Sequence, residues 1–238
     1  MKNLFLCLIL TVLFGCTAQK QQKIANNTLS KKELKQGWQL LFDGANPDQW
    51  RSANKSGFPT SGWKVMDGCL VSGGGGSLVS RDEYGNFDLV WEWKMIDAGG
   101  NSGVKYFVKE DGKDALGIEY QMLDDVAHPW MKEGKMQPND FHTNGAAYEL
   151  YPPSIYKKSK PVGEWNSSRV TSYGMHVVHW LNGEKVADYV RSSKDFAERV
   201  AKSKFKDTPG FGLHEQGLIL LQDHGSEVWF RNIKIRKL

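Results

Sequence analysis

The stretch GIEYQMLDD, residues 117–125, sets a carboxylate, an amide and two further carboxylates close together: Glu119, Gln121, Asp124 and Asp125. A second stretch, LQDHG at 221–225, adds Gln222, Asp223 and His224. Groups of these types accept, donate and relay protons, and they hydrogen-bond hydroxyl-rich molecules. Read as a strand, 117–123 turns Glu119, Gln121 and Leu123 to one side and Tyr120 and Met122 to the other, because successive side chains alternate. The apolar pair suits a core. The opposite face suits a solvated groove, in which Glu119 escapes the several kcal/mol that burying a charge costs. Gln222 and His224 share a face at another strand end and suit the wall of that groove.

The spacing Glu119-x-Gln121-x-x-Asp124 is similar to the Glu-x-Asp-x-x-Glu stretch of retaining jelly-roll glucanases, but departs from it at two of three positions. Extended, residues 119 and 124 lie about 16 Å apart and on opposite faces unless a bulge intervenes. A retaining pair needs carboxyl groups about 5–5.5 Å apart, so a two-carboxylate mechanism is disfavoured. Asp124 and His128 are candidate ligands for a divalent cation, although no further ligand stands at a diagnostic spacing. Aromatic residues accompany polar ones at Trp130, Tyr148, Tyr151, Trp165–Asn166 and His179–Trp180. Flat aromatic faces beside amides and carboxylates match a sugar, with its apolar C–H faces and its ring of hydroxyls. His224 is the strongest histidine candidate, His176 reads as structural, and His142 and His214 sit in loops without a readable signal.

Strands must position these groups. FDLVWEWKM alternates Phe87, Leu89, Trp91, Trp93 and Met95 against Asp88, Glu92 and Lys94, the period of a half-buried strand. MHVVHWLNGEKVADYV reads as a hairpin around Asn182–Gly183, a pair suited to the positive φ angles of a type I′ turn. In SEVWFRNIKIRKL the apolar parity changes between Phe230 and Ile233, which predicts a bulge. Further strands are predicted at 38–42, 63–72, 77–80, 103–108, 117–123, 145–150, 164–172 and 217–222. One short helix is expected in SKDFAERVAKSKF, with Ser193 as N-cap and Phe196 and Val200 on its inner face. Many short strands with Gly-rich turns predict an all-β sandwich of two antiparallel sheets, a jelly roll. GGGG at 73–76 reads as a flexible turn; no Lys-Ser/Thr and helix follow it, as a phosphate loop requires. The long aperiodic segment 126–145 is expected to border the site.

The chain has 238 residues, a net charge of +4 and nine Trp. Its basic residues are dispersed, not gathered on a stripe, which argues against nucleic-acid binding. Lys2, the apolar run 4–14 and LFGC at 13–16 predict a bacterial lipoprotein signal over residues 1–15, with Cys16 acylated. Residues 16–30 then read as a polar tether and 31–238 as a single domain, anchored in the cell envelope, at the outer membrane facing the periplasm. Only Cys69 is left inside that domain, so no intrachain disulfide is possible there.

Six motifs follow one another in order: NSGVKYF (101–107), EYQMLDD with a following HP (119–129), GAAYELYPPS (145–154), KPVGEWN (160–166), HWLNGEKV (179–186) and LQDHGSEVWFRNIKIRKL (221–238). Together they resemble the 3-keto-disaccharide hydrolase domain family over residues 36–238. The resemblance implies a concanavalin-like jelly roll acting on glycosides already oxidised at C3. A C3 ketone acidifies the C2 proton; a base removes it, the C1 substituent leaves, and water adds to the glycal. Glu119 or His224 is the expected base, and Asn101, Gln121 or a bound metal would hold the enolate oxygen. Asp124 and His128 would orient the site, with Tyr148, Trp165, Asn166, His179 and Gln222 contacting a small oxidised sugar. Two other readings stay open: a conventional glucanase-like glycosidase, and a glycan-binding lipoprotein without turnover.

Overall fold

The alternating run at 87–95 forms a strand with Phe87, Leu89, Trp91, Trp93 and Met95 all buried in the computed structural model, which describes residues 25–238. The expected signal segment, Cys16 and the first part of the tether lie outside the described residues. In chain order the elements are α1 (Lys31–Lys35), β1 (Gln39–Leu40), β2 (Trp50–Ser52), β3 (Lys64–Met66), β4 (Cys69–Ser72), β5 (Leu78–Tyr84), β6 (Phe87–Met95), β7 (Asn101–Glu110), β8 (Ala115–Leu123), α2 (Pro129–Lys132), β9 (Asn166–Tyr173), β10 (His176–Leu181), β11 (Glu184–Val190), α3 (Lys194–Lys202), β12 (Gly217–Leu221) and β13 (Val228–Lys237). They make two antiparallel sheets, a jelly-roll sandwich of the concanavalin kind. One sheet has eight strands in the order β11-β10-β9-β6-β13-β4-β3, with β1 also paired to β13; the other has five, in the order β2-β5-β12-β7-β8.

The aromatic core lies between the sheets. Trp91 meets the Tyr120 ring edge-on at 5.0 Å. The buried Trp50 indole donates to the Leu41 carbonyl at 2.7 Å, so even this large side chain leaves no polar group unpaired. The hairpin turns at Asn182 (φ 50°) and Gly183 (φ 87°) as the sequence predicts. The bulge near Ile233 is present: the register of β13 on β6 shifts between Arg231 and Lys234. Asn27 packs against this bulge, exchanging backbone-to-side-chain hydrogen bonds of 2.6 and 2.8 Å with Asn232. Ser193 caps α3 and Phe196 is its buried residue.

Several expectations are corrected. Among the described residues three helices form, not one: Ser30 and Glu33 make a capping box on α1, and α2 starts with Pro129 in its first turn behind a His128 cap. Residues 145–150 form no strand, because Gly145 (φ 86°) and Glu149 (φ 66°) turn the chain; only single bridges join Ala147 to Tyr120 and Tyr151. The glycine turn at 73–76 is pinned, since the Asp223 carboxylate accepts from the N–H groups of Gly74 and Gly75. His179 faces the core, not a groove. It is fully buried, its Nδ1–H donates to the Gly145 carbonyl at 3.1 Å, and its Nε2 accepts from the Tyr106 hydroxyl at 2.7 Å. Parity on β10 decides this, because Val177, His179 and Leu181 share the inward face.

The face of the five-stranded sheet turned away from the core is divided in two. Val79, Val108, Leu218 and Leu220 make a small apolar cluster, packed by Ala53 and Ala115. Beyond it the same face turns polar, and the candidate site begins there.

Candidate active site

Three register pairs on β7 and β8 lay out the polar half of the sheet: Asn101 opposite Leu123, Gly103 opposite Gln121, and Lys105 opposite Glu119. The residue just past β12 on the neighbouring strand is Gln222, whose N–H donates to the Gly103 carbonyl at 2.8 Å and brings its side chain alongside. Alternation on each strand therefore puts Asn101, Lys105, Glu119, Gln121 and Gln222 on one surface.

Glu119 and Gln121 lie on the expected face, but they are not solvated; they retain only 5% and 2% of their exposure. Loops from far along the chain cover them. The Glu119 carboxylate accepts from the Gln222 amide at 3.2 Å and lies 3.6 Å from the Lys105 ammonium. Burial pushes the Glu119 pKa up, while the Lys105 and Lys204 ammonium groups and the Gln222 amide pull it back. The Gln121 amide donates to Asn101 Oδ1 at 3.1 Å. The carbonyl oxygens Oε1 of Gln121 and of Gln222 are buried and have no partner among the described residues. Buried acceptors of this kind are usually satisfied, so two in one place suit a ligand bearing hydroxyl donors.

Gly103 makes this arrangement possible. A Cβ there would stand 2.8 Å from Glu119 Oε1 and 3.1 Å from Gln222 Oε1. Gly103→Ala is therefore expected to fold but to push both side chains out of place, lowering kcat/KM about tenfold or more, since small displacements of positioned groups are costly. Steady-state kinetics beside a thermal melt of the variant checks this.

Two cavities open on this surface. One, of about 220 Å³, is walled by Asn101, Gln121, His128, Trp130, His142 and Tyr148. The other, of about 380 Å³, includes Lys105, Gln222 and His224 in its lining. Segment 126–145 does border the site, through His128, Trp130 and His142. Burial, then the Glu119, Glu149 and Asp140 carboxylates, raise the Tyr148 pKa to about 12, so its hydroxyl stays protonated as a donor. His224 is exposed at the rim. Partial burial, with the Lys105 and Lys204 ammonium groups, lowers its pKa against the pull of Asp223, which keeps the imidazole neutral at pH 7.

Three side chains of this surface escaped the sequence reading. His142 is held at Nδ1 by Asp140 (2.6 Å) and at Nε2 by Glu149 (3.2 Å), with its ring 5.1 Å from that of Tyr148. The signal was the acid two residues before it. Lys105 shares its strand face with Asn101 and Gly103, so alternation alone pointed to it. Lys204, whose ammonium sits 4.3 Å from the Tyr148 ring centre, follows a helix that folds back from elsewhere and left no local signal.

Other expected site residues lie apart. Asp124 serves a turn: its carboxylate accepts from the N–H groups of Gly99 (2.8 Å), Val126 (3.0 Å) and Ala127 (3.3 Å). His128 Nδ1 accepts from the Trp130 N–H at 3.3 Å as the α2 cap, although its ring also reaches the smaller cavity. Among the described residues no three His, Cys, Asp or Glu side chains are grouped to hold a metal ion. Trp165 stacks on the Arg231 guanidinium at 3.8 Å, with residues of the eight-stranded sheet, and is corrected from the groove to that sheet. Asn166 is corrected likewise: it is buried, and its Oδ1 accepts from the Lys160 N–H and the Asn182 amide.

The chain is 32% identical to a 3-keto-disaccharide hydrolase from Bacteroides thetaiotaomicron, over 98% of this chain and 96% of that protein. It superposes with a TM-score of 0.82 on the crystal structure of a Parabacteroides distasonis ATCC 8503 protein classed provisionally as a glycosyl hydrolase, at 38% identity over 90% of this chain and all of that one. A Bacillus subtilis protein with a galectin-like fold superposes with a TM-score of 0.50 at 12% identity, over 90% of this chain and 95% of that one, and shares the fold alone. Residues 37–236 match the sequence profile of the 3-keto-alpha-glucoside-1,2-lyase-like domain, and the chain belongs to that family.

Proposed function

We propose that this chain hydrolyses 3-keto-glycosides by elimination and rehydration. The observation that carries the reading is the grouping of a neutral His224, the Lys105 ammonium and two unpartnered amide oxygens on one surface beside an aromatic wall. The keto-sugar lies across both cavities, against Trp130, His142 and Tyr148 on one side and facing Lys105 and His224 on the other, with its hydroxyls donating to the free oxygens of Gln121 and Gln222.

The His224 imidazole takes the C2 proton, and the C–H electrons form the enolate. The Lys105 ammonium holds the enolate oxygen, where fixed positive charge is worth most. The enolate then collapses: the C3 carbonyl re-forms, C1=C2 forms, and the C1–O bond breaks. The leaving oxygen departs with the electron pair and takes a proton from solvent. Water adds its oxygen to C1 and releases one proton to solvent, replacing the one the leaving oxygen took, while the His224 imidazolium returns a proton to C2, which completes hydrolysis and restores the base. Glu119 is almost out of reach of solvent, so it acts as a positioning residue that holds Lys105 and Gln222.

The test uses a 3-keto-glucoside and its unoxidised parent in deuterated water. Cleavage of the keto-sugar alone, with deuterium at C2 of the product, is expected. Cleavage of the parent would favour a conventional glycosidase, and saturable binding of both without product would favour a glycan-binding protein.

A further inference from the structure

A third cavity, of about 530 Å³, lies on the other side of α2 from the sugar cavity. Its floor is apolar: Trp93 and Met95 from the sandwich core and Leu123 from the outer face of β8 retain 2%, 3% and 3% of their exposure. Met131, Ile155 and Val162 form its walls. A concave cleft of this size with a largely apolar lining and a few polar groups is the usual form of a small-molecule site.

Two observations tie this cavity to the reacting site. Leu123 walls both it and the sugar cavity, so the two abut. Helix α2 stands between them, with Trp130 lining the sugar side and Met131 the apolar side. Exposed apolar side chains stand at both openings: Val126 (84%) and Ile155 (63%) line this cavity and Trp130 (45%) the sugar cavity. Exposed apolar side chains gathered in this way mark a binding surface. The rest of the lining is polar, with Asp124, Asn139, Ser159, Lys160 and Asn166, and within it Lys157 and Asp125 pair at 2.7 Å with side chains only 9% and 16% exposed. That pair offers a donor and an acceptor to a single hydroxyl.

Resting on the function proposed above, we infer that this cavity receives the leaving group, and that the leaving group is a flat aromatic alcohol. The apolar share of the lining, Trp93, Met95, Met131, Ile155 and Val162, binds the face of a ring by burial, and the polar share meets hydroxyls at its edge. A further hydroxyl on the ring would meet Asp125 and Lys157.

The inference is tested on the full chain with 7-hydroxycoumarin as the free alcohol, and with methyl and 7-hydroxycoumarin 3-keto-glucosides. Calorimetry is expected to show saturable binding of the free coumarin, weakened about tenfold by Ile155→Asp and by Met131→Asp. Both variants are expected to lower kcat/KM on the coumarin glycoside by a similar factor and to leave the methyl glycoside unchanged. No saturable coumarin binding, or binding indifferent to both substitutions, overturns the inference. If neither glycoside is cleaved while coumarin binding behaves as expected, the hydrolytic reading fails and the cavity assignment stands.

Discussion

His224→Ala is expected to lower kcat/KM on a 3-keto-glycoside by about 100- to 10,000-fold, the usual worth of a general base. The fold should survive, because His224 sits exposed at the cavity rim, past the end of β12. The pH profile makes the assignment sharper. Only the free base accepts the C2 proton, and the His224 pKa lies below its ordinary 6.5. The rate of the unaltered protein should therefore rise with pH through an inflection below 6.5 and then stay flat through neutrality. Part of that lowering comes from the Lys204 ammonium. Lys204→Met should move the inflection upward, since the imidazolium then forms against less positive charge. An unchanged inflection in that variant, or near-normal turnover by His224→Ala, would remove His224 from the reaction.

Acid should destabilise the fold through His179 by about 3 kcal/mol between pH 6.5 and pH 4. The ring is fully buried, and burial lowers its pKa from 6.5 to about 4. Above pH 6.5 the ring is neutral in both the folded and the unfolded chain, so its stabilising contribution is complete. As the pH falls below 6.5 the unfolded chain takes up a proton that the folded chain refuses, and stability drops until the folded ring also protonates near pH 4. The neutral ring is held in one tautomer by the Gly145 carbonyl and the Tyr106 hydroxyl. His179→Gln can keep a donor and an acceptor there without titrating. Denaturant unfolding at pH 7 and pH 4.5 should show a smaller loss in the Gln variant than in the unaltered protein. Equal losses would mean that other groups carry the acid sensitivity.

Much of the fold was readable because its signals are local. Period-two alternation at 87–95, the Asn182–Gly183 turn and the parity change before Ile233 each depend only on neighbouring residues, and all three appear in the structure. The failures share a cause too. A strand is expected at residues 145–150, yet positive φ at Gly145 and Glu149 turns them into the wall of a cavity. His179 and Trp165 each sit beside groups that suit a sugar, but neither neighbour says which sheet face will be covered. Lys204 reaches the site only because the chain beyond α3 folds back across the five-stranded sheet.

The sequence by itself determined which residues share a side of each strand, since the pleat fixes that for every register. It thereby put Glu119 with Gln121, and Tyr120 with Met122, before any partner strand was known. Only the tertiary structure decided what lies over each side. Segments around Tyr148 and Lys204 close over Glu119, removing it from water and adding the Lys204 ammonium to that of Lys105 near its carboxylate. Burial depends on which distant segments meet, and no local pattern of side chains records that.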